Sequence, residues 1–555
     1  MLLNGSDILS EVLLEQGVDT IFGYPGGGVL NIYDSFYKYK DRLHHVMTAH
    51  EQGAAHAADG YARATGKTGV CIATSGPGAT NLVTGLATAY MDSVPMVAIT
   101  GNVGTSLIGR DAFQEVYIIG ITMPITKHNF QVRRVEELAD TLRKAFKLAH
   151  TGRYGPVLVD IPKDVSAAIT EYVPQPPVET PRQVKDSYPG LEEIARVINT
   201  AKRPYILFGG GVRLSDAGDE VRELINRADI PASYTLMASG VLAYGEKNNM
   251  GLLGMHGCFS GNKAADNCDV LINIGSRFSD RVALNMKKFG GDAKIIHIDI
   301  DPSEVGKNIK VDYSVIGDVK DVLQKLLPMI EAKQHLQWQH QIDAWKTRDY
   351  HPKNDASVIK PHQLVSAICE MAGPDATYTT DVGQHQIWAA QYLHLTKGPN
   401  HFLTSGGLGT MGYGYGAAIG ASFGKDVKGP VIHLTGDGSF HMNMNEACTA
   451  VSYGLPIISV IFNNRVLGMV RQWQTVFYGK RYSSSDPERV TDYVKVIEGF
   501  GGVGYHVETL AEFKEAFAKA LESKVPVWID CVIDKDERVL PMIPGGGTSS
   551  DTILD

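Results

Sequence analysis

The sequence predicts an α/β protein built from three doubly wound parallel-sheet domains. Strand-like apolar runs alternate with helical patterns along the whole chain, the signature of parallel sheets joined by crossover helices. Two polar stretches interrupt this alternation and divide it into three units. The 59 glycines cluster at strand-to-helix junctions (GYPGGG, SGPGATN, GGLGTMGYGYG, LTGDGSF). There the backbone must take positive φ or come close to a ligand.

The first unit, residues 1–170, opens on MLLNGSDILSEVLLEQG. This reads as an amphipathic helix with no basic leader, so no signal or transit peptide is expected. Strands follow at 18–24, 68–76, 96–101 and 157–162. The proline-rich stretch 172–182 is a linker. The second unit, 188–335, carries strands at 204–211, 270–275 and 295–301. Residues 332–357 are polar and rich in Gln, His and Lys, and read as a second connector without strands. The third unit, 358–540, has strands at 377–383, 431–438, 456–464 and 527–533. Residues 541–555 are rich in Gly, Pro and Ser and read as a mobile tail.

Composition excludes several classes. Net charge is -9 and no basic stripe is present, which argues against nucleic acid as a partner. No run of 18 apolar residues exists, so no membrane span is expected. The six cysteines are scattered without a C-x-x-C pair. That speaks against a disulfide framework or zinc site and for a reducing, cytoplasmic compartment.

The strongest chemical signal is GDG at 436–438, after the strand VIHLT, with Asn464 closing the next strand 28 positions beyond Gly436. A carboxylate and an amide at neighbouring strand ends can hold one hard cation. Mg²⁺ takes oxygen ligands and completes its shell from water and phosphate. A glycine-rich turn at a helix start offers N–H donors to that phosphate. Two ordinary βα turns would each look similar; the combination at this spacing is more specific. It resembles the diphosphate-binding motif of thiamine diphosphate (ThDP) enzymes. By that resemblance Asp437, Asn464 and the carbonyl of Val466 ligate Mg²⁺.

Glu51, in TAHEQGAAHAADGYAR, is the second signal. A glutamate at a helix start is often only a favourable charge at the helix dipole. Beside GDG and NN it reads as the catalytic carboxylate. ThDP carries the hard chemistry, and a glutamate in an Ala/Gly-lined, desolvated spot can share a proton with its aminopyrimidine ring.

Taken together the chain resembles the acetohydroxyacid synthase (acetolactate synthase) large-subunit family. GYPGGG, SGPGATN, GRDAFQE, ITKHN, GPVLVDIPKD, LLGMHG, SRFSDR, IDIDP, VGQHQ, SGGLGTMGYG, GDGSF, GMVRQWQ and LPMIP occur in that family's order. The resemblance implies a first domain that binds the pyrimidine, a central one that helps bind FAD, and a third that binds the diphosphate. It implies a site shared between two chains, hence a homodimer or homotetramer, and allows a small regulatory subunit. It implies decarboxylation of pyruvate and transfer of the hydroxyethyl unit to a second pyruvate or to 2-ketobutyrate, in branched-chain amino acid biosynthesis.

The same motifs assign further residues. Tyr24, Pro25, Gly26, Pro77 and Asn81 line the pyrimidine. Gln384, His385, Gly438 and Ser439 reach the diphosphate, and Met411 wedges under the cofactor. Gln114 and Lys127 join Glu51 at the reacting centre. Arg153, Gly254, Met255, His256, Gly257, Arg277 and Asp299 serve FAD. Arg281, Trp473 and Met469 form the acceptor pocket. Asn102, Gly104 and Ser279 depart from the family's usual residues and bear on fine specificity. Rival readings are a catabolic FAD-free acetolactate synthase, a redox flavoenzyme like pyruvate oxidase, and a non-catalytic assembly subunit.

Overall fold

The computed structural model describes residues 1–355, 357–396 and 401–555. Three six-stranded sheets, all parallel, carry helices on both faces. In spatial order the first sheet runs His44–Met47, Thr20–Gly23, Gly69–Ala73, Met96–Asn102, Pro156–Pro162 and His128–Gln131. The third runs Phe402–Thr404, Thr377–Thr380, Val431–Gly436, Ile458–Asn463, Val527–Val532 and Val503–Val507. Numbered within each sheet, both have the strand order 2-1-3-4-6-5. The central sheet runs Asn249–Leu252, Ala232–Tyr234, Pro204–Phe208, Val270–Ile274, Lys294–Asp299 and Tyr313–Ile316. Its order, 3-2-1-4-5-6, is that of dinucleotide-binding sheets.

The central strands are buried on both faces and read as near-continuous apolar runs, as in VLVDIP and VLINI. The first and third units pack through two small-residue helices, Glu51–Thr65 and Tyr413–Ser422. A Cβ on Gly60 would lie 2.3 Å from the Ala417 carbonyl oxygen, and one on Gly420 would lie 1.8 Å from that of Ala57. Backbone therefore meets backbone, and these glycines serve packing rather than turns. Beside them Arg63 forms a buried ion-pair bridge from Asp59 (2.6 Å) to Asp92 (3.0 Å). Asp92 in turn accepts the N–H groups of Gly406 and Gly407 of the third unit.

Two expectations need correction. Within the polar stretch 332–357 a helix forms, Leu336–Lys346, and its Trp338 is buried on the central unit and donates to the Pro204 carbonyl. Trp338, Ile342 and Trp345 fall on one face at helical spacing, which a composition reading misses. The segment 541–555 is docked rather than loose. Met542 and Ile543 are buried, Ile543 N–H donates to Met255 O at 2.8 Å, and Gly546 N–H to Leu284 O at 3.1 Å. All six cysteines are free.

Candidate active site

In open α/β sheets ligands bind beyond the carboxyl ends of the strands, where the strand order reverses. The expected site residues gather at three such points. In the first sheet the reversal lies between Thr20–Gly23 and Gly69–Ala73, which lead into Tyr24–Gly26 and Thr74–Pro77. The Gly28 N–H donates to Thr74 Oγ1 at 3.1 Å. A Cβ on Gly26 would strike the Thr74 side chain at 2.5 Å, so the turn admits only glycine there. Glu51 starts its helix nearby, 9% exposed, and its Oε2 accepts from Asn81 Nδ2 at 2.9 Å. Gly76 takes φ +60° and lies against the Gln114 backbone, itself at φ +60°. Glu51, Pro77, Asn81 and Gln114 are thus neighbours, with Tyr24 and Pro25 on the facing strand end. Lys127 is turned elsewhere. Its amine donates to the carbonyls of Leu148 and Thr151 at the end of helix Leu138–His150, and burial pushes it down to about 8.

In the third sheet the reversal lies between Thr377–Thr380 and Val431–Gly436. Asp437 opens the helix after the second of these and is 5% exposed. Burial pushes its carboxyl up to about 7. Backbone N–H groups and the charge of Arg489 offset that burial only in part. Asn464 Oδ1 accepts the Val466 N–H at 3.2 Å, which gathers both residues into one turn beside Asp437. One carboxylate, one amide and one carbonyl suit Mg²⁺, which takes its other ligands from phosphate and water. His385 is buried, its Nε2 has no partner, and burial pushes it down to about 4, so it is neutral near pH 7. A Cβ on Gly383 or Gly436 would meet this ring at 2.8 Å. The two glycines face the Nδ1 and Cε1 edge of the ring and set no side chain against it. Ser439 Oγ donates to Val382 O, and Gln384 is bonded to Gln472, Glu537 O and Asn464. These two act on the turn itself. Met411 is half-buried just ahead of helix Tyr413–Ser422.

In the central sheet the reversal lies between Pro204–Phe208 and Val270–Ile274. Gly210, Gly211, Gly275, Ser276 and Arg277 there line a cavity of about 900 Å³, walled by all three units. Near the upper end of ordinary ligand pockets in size, at a dinucleotide-type reversal and edged with glycine, it fits an extended dinucleotide such as FAD. Arg153, Met255, His256 and Asp299 also line it; Gly254 and Gly257 shape the loop behind. Arg153 pairs with Glu304 at 2.8 Å and reaches Ser93 Oγ. Arg281, Met469 and Trp473 also line it. Arg281 is exposed and pairs with Asp280 at 3.4 Å; Trp473 packs on Phe477.

Sequence reasoning missed Asp381. It is buried and accepts from Gly414 N–H (2.6 Å), Thr435 Oγ1 (2.6 Å) and His433 Nε2 (3.3 Å), tying the strand ends around the Asp437 turn. Its signal was the one that marks Asp437, a carboxylate ending a strand before a glycine turn. Asp92 and Glu446, which also bridge the units, carry no such local mark.

Three reversal points, one holding a sheltered glutamate and another a buried aspartate, define a cofactor-dependent α/β enzyme. Residues 3–121 match the N-terminal TPP binding domain of thiamine pyrophosphate enzymes, 191–326 their central domain and 381–531 their C-terminal TPP binding domain. The chain is 45% identical to a probable acetolactate synthase large subunit of Methanocaldococcus jannaschii, over 99% of this chain and 95% of that one. It is 45% identical to the acetolactate synthase large subunit of Corynebacterium glutamicum, over 99% and 90%. It is 44% identical to the acetolactate synthase of Mycobacterium bovis, over 99% and 91%. The chain belongs to the thiamine pyrophosphate enzymes and, within them, to the acetolactate synthase large-subunit family. Among the described residues no helix is long and apolar enough to cross a membrane.

Proposed function

We infer that the protein is an acetolactate synthase of branched-chain amino acid biosynthesis. It decarboxylates pyruvate and transfers the two-carbon unit to a second pyruvate or to 2-ketobutyrate. The observation that carries this reading is the shared cavity, which Arg281 and Trp473 line together with the glycine-edged reversal of the central sheet. A simple decarboxylase needs neither a carboxylate-binding cation nor a second substrate pocket there.

ThDP, when bound, supplies the nucleophilic carbon and takes up the electron pair left by departing CO₂. Asp437, Asn464 and the Val466 carbonyl would hold Mg²⁺, and His385 and the Gly438 turn would receive the diphosphate. Glu51 holds and returns the proton. Its Oε2 is engaged by Asn81, which leaves Oε1 for that exchange. Arg281 would release Asp280 and fork onto the acceptor's carboxylate, while Trp473 and Met469 close on its alkyl group. FAD would lie across the central reversal against Arg277, Asp299 and Arg153. Gln114, whose backbone lies against Gly76, would border the reacting atoms. For Lys127 the placement supports a helix cap more than a catalytic role.

The unit limits 1–170, 188–335 and 358–540 follow from the same reading. A second copy of the chain completes the site. Exposed apolar side chains surround both halves: Leu107, Phe113, Tyr117 and Met123 in the first unit, and Met442, Val470, Phe477 and Tyr478 in the third. Patches of this kind mark interaction surfaces. Relatives bearing the words large subunit point to a smaller regulatory partner as well. The reading is tested by turnover with pyruvate and 2-ketobutyrate together, with products identified. 2-Acetolactate and 2-aceto-2-hydroxybutyrate are expected; acetaldehyde or acetate as main product would overturn it.

A further inference from the structure

We propose that Glu446 is a positioning residue for Glu51: its carboxylate, reaching over from the third unit, fixes the backbone from which Glu51 projects. This rests on the reading of Glu51 as the group that exchanges a proton with ThDP.

Glu446 is fully buried, at 0% exposure, and hydrogen-bond donors rather than a cation offset its burial. Its Oε2 accepts the Ala49 N–H at 3.1 Å and the Thr449 hydroxyl at 2.7 Å, and its Oε1 accepts the His50 N–H at 3.1 Å. Ala49 and His50 immediately precede Glu51, and His50 caps the helix by accepting the Gln52 N–H on Nδ1. The first N–H groups of a helix have no partners within it and carry partial positive charge. A carboxylate straddling two N–H groups at this end is held without a cation and in turn locks the turn in place. Burial pushes the Glu446 carboxyl up, and the three donors oppose that shift. Gly53 completes the arrangement, since a Cβ there would lie 2.0 Å from Glu446 Oε1. The side chain of Glu51 is thus set by Asn81 of its own unit and its backbone by Glu446 of another. Glu446 closes the short turn Met444–Glu446 that follows helix Asp437–Asn443, so a stretch of ten residues links the metal turn to the start of the Glu51 helix.

Two variants test this. In Glu446→Gln one carboxylate oxygen becomes an NH₂ that faces an N–H. In Gly53→Ala the new methyl displaces Oε1, although alanine is the better helix former. A merely structural role predicts that Gly53→Ala keeps or gains thermal stability with normal proton exchange. The positioning role predicts slower H/D exchange at C2 of bound ThDP in both variants. The expected factor is about tenfold to a hundredfold, the scale for a catalytic group displaced by up to about an ångström. Affinity for ThDP and Mg²⁺ should stay within about twofold, because Asp437 and its turn are untouched. Backbone amide exchange at residues 49 and 50 should rise in Glu446→Gln. Should that variant fail to fold, Gly53→Ala decides alone. Wild-type C2 exchange in the folded variants, beside slow exchange in Glu51→Gln, overturns the proposal. Wild-type exchange in Glu51→Gln itself overturns the underlying reading of Glu51.

Discussion

The Asn81 side-chain amide donates to Glu51 Oε2 at 2.9 Å, while Oε1 lies where a Cβ on Gly78 would stand only 3.2 Å away. One oxygen is anchored and the other opens onto a strip of glycine. Glu51→Gln keeps the shape and removes the proton exchange. C2 deprotonation of bound ThDP should slow by about two orders of magnitude or more, the usual yield of a general acid–base group. ThDP affinity should persist. H/D exchange followed by NMR checks this, and an unchanged rate would remove Glu51 from the proton path.

Asp437→Ala takes away the one ionised ligand proposed for Mg²⁺. Activity should be lost at ordinary cofactor levels and return in part with excess Mg²⁺ and ThDP. Titration of both by tryptophan fluorescence or calorimetry gives the result. Wild-type affinities in the variant would move the metal elsewhere.

Buried imidazoles predict an acid limit to stability. Burial pushes His45, His56 and His150 down to about 4. The folded state therefore favours their neutral forms, whereas the unfolded chain protonates them near 6.5. Their contribution is complete above 6.5 and is lost progressively as pH falls from 6.5 to 4. Denaturant midpoints should drop across this window, and His56→Gln should flatten the slope. A wild-type profile level from 6.5 to 4.5 would contradict the burial argument.

Trp473→Leu should lower the preference for 2-ketobutyrate over pyruvate as acceptor and spare the first decarboxylation. One methylene in a fitted apolar pocket is worth roughly 1–3 kcal/mol, or about 10–200-fold. Arg281→Lys should weaken capture of both acceptors, because a lysine cannot fork onto a carboxylate. The product ratio in competition decides, and an unchanged ratio in Trp473→Leu would place the pocket elsewhere.

The strands that sequence reading located are those in the sheet interiors, VLVDIP, VLINI and VIHLT among them, because burial on both faces leaves a near-continuous apolar run. The strands it missed are short and lie at or beside sheet edges: HHVM, HNFQ, YSVI and VGYHV are half-exposed and mix polar with apolar residues. The Asp437 and Glu51 turns were legible because glycine and carboxylate stand together in the chain. Glu446, Asp92 and the small-residue contact of Gly60 with Ala417 were not, since each gains its role only from a partner hundreds of residues away. The tail Met542–Ile553 looked loose by composition and is held by backbone hydrogen bonds to the central unit, which composition does not encode.

The central claim, that one keto acid donates two carbons to another without net redox, is tested most directly by stoichiometry. Pyruvate alone would be supplied to the ThDP- and Mg²⁺-loaded enzyme, with CO₂, pyruvate and flavin absorbance followed together and an electron acceptor present or absent. The account predicts two pyruvates consumed for each CO₂ released, one 2-acetolactate formed, and no dependence on the acceptor. One pyruvate per CO₂, or turnover that requires the electron acceptor, would contradict it.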